Sequence, residues 1–272
     1  WLARRLPLRP AGTLRRARLT GATRACRSAC WLTVVAGLLI TIPAAACGSA
    51  YTQEDVERSR REQRLASALH EEGNIPGALS SVDRALSIYP DNAEAHVLRG
   101  FLYSERGDFG QAERSITRAI QLLEQRPEAA TALAEAKNML GVVRVNQRRY
   151  DEAIALFRES AADIHNAAPF HAWGNLGRAY TEKHDYASAH EALATAVRLQ
   201  PRFCVGHFLI GKVYFAQDDF AHAEQAFTSA LEADARCVTF QDAWRLRGET
   251  RARLEHREDA LADFQRCVEL GP

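Results

Sequence analysis

The sequence predicts an all-α chain, a right-handed superhelix (solenoid) of about six helix–turn–helix repeats over residues 59–272. Three observations predict it. Small residues recur along the chain, Ala66, Gly100, Gly141, Gly177, Gly211 and Gly248, at intervals of 34, 41, 36, 34 and 37 residues. An alanine stands 12 residues after each of them: Ala78, Ala112, Ala153, Ala189, Ala223 and Ala260. An apolar residue follows four further on (Val82, Ile116, Phe157, Leu193, Phe227, Phe264), and a small one three beyond that (Ala85, Ala119, Ser160, Ala196, Ala230, Cys267). Each unit of such an array buries its apolar face only against its neighbours, so the product is a solenoid rather than a globule.

The N-terminal 46 residues stand apart. They hold eight of the 35 basic residues and none of the 34 acids, leaving 27 against 34, a net −7, for the rest of the chain. A mildly acidic body argues against nucleic acid as a main partner. Behind the basic stretch comes "WLTVVAGLLITIPAAA", Trp31–Ala46, a mostly apolar run that is short for a transmembrane span. It ends in Ala44-Ala45-Ala46-Cys47-Gly48-Ser49, which resembles a bacterial lipoprotein signal. The resemblance implies that residues 1–46 are removed as a signal peptide and that Cys47 is acylated. Ordinary secretion after Ala46 and a retained membrane anchor are the alternatives. Residues 47–58 then read as a lipid-proximal tether.

The repeats follow at about 59–92, 93–126, 134–167, 170–203, 204–237 and 241–272. The fourth contains "AWGNLGRAYTEKHDYASAHEALATAVRLQP", Ala172–Pro201. Trp173, Leu176-Gly177, Tyr180, Ala189, Leu193 and Pro201 resemble the tetratricopeptide pattern W-x2-L-G-x2-Y, A-x3-F, P. Small residues let the two helices of a unit approach, Tyr180 and Leu193 fill the space between them, and Pro201 ends the second helix. About seven extra residues near "LLEQRPEAATALAEA" are expected to lengthen helices or a loop, and three more precede unit six at "DARCVTF". The outer face of "DALADFQRCVEL" is expected to be exposed.

Few residues invite chemistry. No H-E-x-x-H, zinc-type Cys–His spacing, G-x-x-x-x-G-K-[ST], G-x-G-x-x-G or G-x-S-x-G occurs. The expectation is therefore no enzyme, no metal, no cofactor and no small-molecule substrate. Of six cysteines, Cys26 and Cys30 lie in the segment expected to be removed, and Cys267 takes a small-residue helix position. Cys204 and Cys237, nearly one repeat apart, would be brought close by neighbouring units; a disulfide is expected, with two free thiols as the alternative.

In tetratricopeptide superhelices the first helix of each unit lines the concave face. Mapped onto this chain, that implies an apolar lining of Val97, Phe101, Val142, Val145, Phe208 and Phe215, suited to an amphipathic helix or apolar strand of another protein. The polar lining would be Glu94, Asn138, His171, Arg178, Thr181, Lys212 and Arg245. The apolar positions, Val142 and Phe208 above all, are read equally well as packing between units.

An acylated N-terminus, six such repeats, the string "AHVLRGFLYSERGDFGQAERSITRAI" and the late Cys pair are similar to the pilotin lipoproteins of type IV pilus assembly. The resemblance implies a protein lipid-anchored at the periplasmic face of the outer membrane. It would bind the pilus secretin and promote its insertion and multimerisation. The alternatives are another periplasmic scaffold, serving peptidoglycan synthesis or outer-membrane-protein assembly, or a soluble peptide-binding repeat protein.

Overall fold

A computed structural model describes residues 51–271. Among them every regular element is helical. Twelve α-helices pair as consecutive units: α1 (Gln53–Glu71) with α2 (Ile75–Ile88), α3 (Ala93–Glu105) with α4 (Phe109–Leu123), and α5 (Ala130–Asn146) with α6 (Tyr150–Ala162). Then come α7 (Pro169–Glu182) with α8 (Tyr186–Leu199), α9 (Cys204–Ala216) with α10 (Phe220–Glu232), and α11 (Gln241–Arg253) with α12 (Arg257–Glu269). Each helix packs on its unit partner, and each second helix from α2 to α10 packs on the first helix of the next unit. The signal segment and Cys47 lie outside the described residues.

The expected tether is helical over half its length. Thr52 caps α1 through a reciprocal bond pair with Asp55, so regular structure begins at Gln53. No helix of the described residues is long and apolar enough to cross a membrane.

The spacing of small residues has a direct cause. A Cβ built on Gly100 would lie 2.4 Å from Ile116 Cγ1, on Gly141 2.5 Å from Phe157 Cε1, and on Gly177 2.4 Å from Leu193 Cγ. On Gly211 it would lie 2.5 Å from Phe227 Cδ1, and on Gly248 2.9 Å from Phe264 Cε1. The apolar residue 16 positions later therefore occupies the room that a side chain would need. Ile116, Phe157, Leu193 and Phe227 are fully buried there. This single knob sets how closely the two helices of a unit approach.

One device turns the chain between the two helices of every unit. The residue seven after the small one is left-handed in all six: Gly73, Gly107, Arg148, His184, Asp218 and Glu255, with φ between 58° and 77°. Its N–H and the next residue's N–H close back onto the first helix, as in His184 N to Thr181 O (2.9 Å) and Asp185 N to Tyr180 O (3.0 Å). That pair satisfies carbonyls left open at a helix end. The following residue then caps the second helix: Asn74, Asp108, Asp185 and Asp219 each accept from a backbone N–H three residues on. Arg149 and His256 make no side-chain cap at the same place.

A second recurring bond joins units. The side chain four before the small residue donates to a carbonyl six residues upstream: His96 Nε2 to Pro90 O (2.9 Å), His207 Nε2 to Pro201 O (3.0 Å) and Trp244 Nε1 to Val238 O (2.8 Å). A carbonyl only accepts, so His96 is protonated at Nε2. Burial holds its pKa below the ordinary histidine value, which favours that neutral form.

The two insertions form short 3-10 turns. Pro127–Ala129 leads into α5, whose 17 residues make it longer than the neighbouring first helices. Ala235–Thr239 precedes α11 and carries Cys237. The sulfurs of Cys204, the first residue of α9, and Cys237 stand at bonding distance, with Cα atoms 5.8 Å apart. Polar side chains buried in the last unit are mutually satisfied. Asp263, 2% exposed, accepts from Arg247 Nε (2.9 Å) and Nη2 (2.7 Å) and from Arg251 Nη1 (2.9 Å). On the outside of α12, Leu261 and Val268 are 68% and 77% exposed.

Candidate partner-binding face

Successive first helices touch across unit boundaries, α1 with α3, α3 with α5, α5 with α7 and α7 with α9. Second helices make no comparable contact, so the stack is tighter on the first-helix side and that side is the inner one. The residues expected to line it divide into two groups.

Most of the apolar candidates are spent on packing. Val145 is 6% exposed and belongs to the core shared by units three, four and five; Val142 packs against the same cluster. Val97 packs against the core between units two and three. Phe208 lies against Phe227 and Phe240, with ring centroids 5.7 and 4.6 Å away. The physical reason is the rotation between units, which turns part of each first helix toward its neighbour rather than toward the groove. Phe101 is half-buried and meets the His70 ring edge-on at 5.1 Å.

Several polar candidates are held by neighbours. Asn138 accepts from Asn175 Nδ2 at 3.0 Å, and Arg178 donates to Asn146 Oδ1 at 3.4 Å. Thr181 bonds back to Gly177 O at 2.8 Å. Arg245 is held by Asp242 and Glu249 at 3.2 and 2.7 Å. Glu94 lies 4.0 Å from Arg126. His171 sits on Phe170 and Phe203 at the start of α7, where burial lowers its pKa.

Lys212 behaves differently, and Phe215, although it packs on the core around Phe227 and meets the Phe220 ring at 5.5 Å, also faces open space. With Thr181 they line a cleft of about 700 Å³ that crosses units three to six, together with Arg148, Tyr150, Glu182, His184, Tyr186, Ala216 and Leu246. Among the described residues neither Lys212 nor Arg148 has an ion-pair or side-chain hydrogen-bond partner, whereas most exposed cations of this array do. The Tyr186 hydroxyl is 2.9 Å from His184 Nδ1. Arg148, Tyr150, His184 and Tyr186 escaped the sequence reading because they belong to the turn and to the first residue of the second helix, not to the first helix. Their signal was the same place in consecutive units, seven and nine residues after the small one.

Models of the tetratricopeptide repeat match residues 69–139, 138–202 and 175–236, together more than half of the chain. Protein bimA of Emericella nidulans is 24% identical over 177 residues, covering 64% of this chain and 20% of its own. The chain spans about a fifth or less of the length of the curated relatives it matches. Among solved structures, the fold is similar to that of PilF of Pseudomonas aeruginosa (TM-score 0.62, 19% identity, 81% of this chain and 95% of that one). It is also similar to that of PilW, a widely conserved type IV pilus biogenesis factor (TM-score 0.65, 20% identity, 75% and 90%). At that identity the likeness is one of fold. The repeat pattern, the paired helices and the family match agree: this chain belongs to the tetratricopeptide repeat family.

Proposed function

We propose that this tetratricopeptide scaffold is a pilotin-type lipoprotein, held by acyl groups on Cys47 at the periplasmic face of the outer membrane. There it binds the type IV pilus secretin and promotes its insertion and multimerisation. One observation carries the reading: the fold matches those of PilF and PilW over 95% and 90% of those chains and over 81% and 75% of this one. The Cys47 sequence supports the anchor, and the inner face supplies a protein-binding cleft rather than a set of catalytic groups. In an oxidising compartment Cys204 and Cys237 form a disulfide, which closes a 33-residue separation and stabilises the fifth and sixth units by about 3–4 kcal/mol in the chain-entropy account.

The test is an immunoblot for SDS-resistant secretin multimers in cells lacking the gene, complemented with wild type or with Cys47→Ala. Multimers should vanish without the protein while secretin monomer persists, and Cys47→Ala should leave the chain in the soluble fraction. Normal multimers in the deletion strain would refute the pilotin reading. Retention of Cys47→Ala in the membrane fraction would refute lipid anchoring.

A further inference from the structure

The cleft across units three to six combines charge with aromatic and apolar surface. Lys212 reaches it from α9 and Arg148 from the turn before α6, each without a carboxylate partner among the described residues. Glu182 is the one carboxylate in the lining, so two fixed cations face one fixed anion. Tyr150, Tyr186, Phe215 and Leu246 supply rings and apolar surface beside them. The backbone of Arg148 is left-handed (φ 60°), with its N–H bonded to Val145 O at 2.9 Å, which sets where its side chain leaves the turn. Some other cations of the array are neutralised by acids, as Lys137 by Glu159 and Arg118 by Asp91.

We infer that this cleft binds an extended protein segment bearing an acidic side chain next to an aromatic one. The acid pairs with the positive lining that Lys212 and Arg148 supply, and the ring lies on the Phe215–Tyr186 side. Charge complementarity selects the acid: an excess of one positive charge at the lining is removed by one carboxylate, and a basic segment meets repulsion. The extent of the cleft over four units selects an extended segment over a compact one, and the aromatic lining supplies the apolar anchor. The inference rests on the reading above that the inner face is where a partner binds; it names the chemistry of that partner's segment.

Fluorescence anisotropy of the full chain with a labelled heptapeptide, Gly-Ser-Asp-Phe-Asp-Ser-Gly, tests it against the same peptide with Lys for Asp. The Asp peptide should bind and the Lys peptide should not. Lys212→Glu and Arg148→Glu should each weaken binding about tenfold, Glu182→Gln should tighten it about threefold, and added salt should weaken it. Circular dichroism melting of each variant verifies that these substitutions leave the fold intact. Equal binding of the two peptides, no binding of the Asp peptide at millimolar concentration, or indifference to Lys212 and Arg148 would overturn the inference. The secretin blot separates the two readings. Loss of peptide binding in Lys212→Glu with normal multimers upholds the cleft as a peptide site, rules it out as the surface the secretin needs, and leaves the pilotin reading standing. Normal multimers in the deletion strain remove the pilotin reading and leave the peptide result to stand alone.

Discussion

Gly177→Ala measures the close approach of the two helices directly. In an exposed helix this change stabilises by about 1 kcal/mol, because alanine gives up less backbone freedom on folding. Here the new Cβ would stand 2.4 Å from Leu193 Cγ, 2.7 Å from its Cδ2 and 3.2 Å from the Ala189 carbonyl oxygen. Leu193 is fully buried, and the nearest atom is its branch point rather than a flexible end. Overpacking of that kind costs about 1–3 kcal/mol, toward the upper end here, so the net expectation is destabilisation by about 1–2 kcal/mol. Truncating the knob should reverse the sign: in a Leu193→Ala background, Gly177→Ala should stabilise by about 1 kcal/mol, a coupling of roughly 2–3 kcal/mol. Gly110, where a Cβ meets nothing nearer than 3.8 Å, is the control, and Gly110→Ala should stabilise by about 0.5 kcal/mol. Urea unfolding followed by circular dichroism reads the wild type and all four variants. If Gly177→Ala stabilises the wild-type protein, or if its sign is the same in both backgrounds, the argument that Leu193 sets the helix separation is wrong.

Three further outcomes follow from the same structure. Asp185→Ala removes the bond to Ser188 N (3.2 Å) and should lower the midpoint of urea unfolding. The side-chain and backbone bonds from Ser188 hold the Asp185 carboxyl below its ordinary pKa, as bonds from Thr52 and His222 do for Asp55 and Asp219. A depressed carboxyl pKa stabilises the fold above the unfolded value near 3.9 and loses that contribution as pH falls through the folded value. Asp185→Asn should therefore keep much of the cap and flatten the loss of stability below about pH 4, read as the melting temperature against pH. His184→Gly relieves a left-handed backbone (φ 61°) and should raise stability by up to about 1 kcal/mol, whereas Gly73→Ala (φ 77°) should lower it by a similar amount although its Cβ meets nothing. Asp263→Ala leaves Arg247 buried without its counter-charge and should cost about 3–5 kcal/mol, whereas the double change Arg247→Met/Asp263→Leu should cost less than half of that; equal losses would refute the account of this pair.

Much of the fold was legible because one steric rule is written six times. The small residue, the alanine 12 further on and the knob 16 further on are local, and copying them makes a pattern that a single unit would hide. The same register carries the left-handed turn residue, yet only Gly73 and Gly107 advertise it; Arg148, His184, Asp218 and Glu255 take that backbone because the helix-end bonds compel it. The near-repeat spacing of Cys204 and Cys237 told that they are neighbours, and the 3-10 turn at Ala235–Thr239 decides that their sulfurs meet.

Tertiary structure alone decided the candidate face. Val97, Val142, Val145 and Phe208 share the register of groove residues, and no local feature separates those that face the groove from those that face the next unit. The rotation between units makes that choice, and it depends on every packed side chain at the boundary. The cleft arises in the same way. Arg148, Tyr186 and Lys212 come from three different units and from turn and helix positions alike, so they form a site only once the units are stacked. Period and helix pairing are properties of the chain read along its length; the cleft is a property of how those lengths lie side by side.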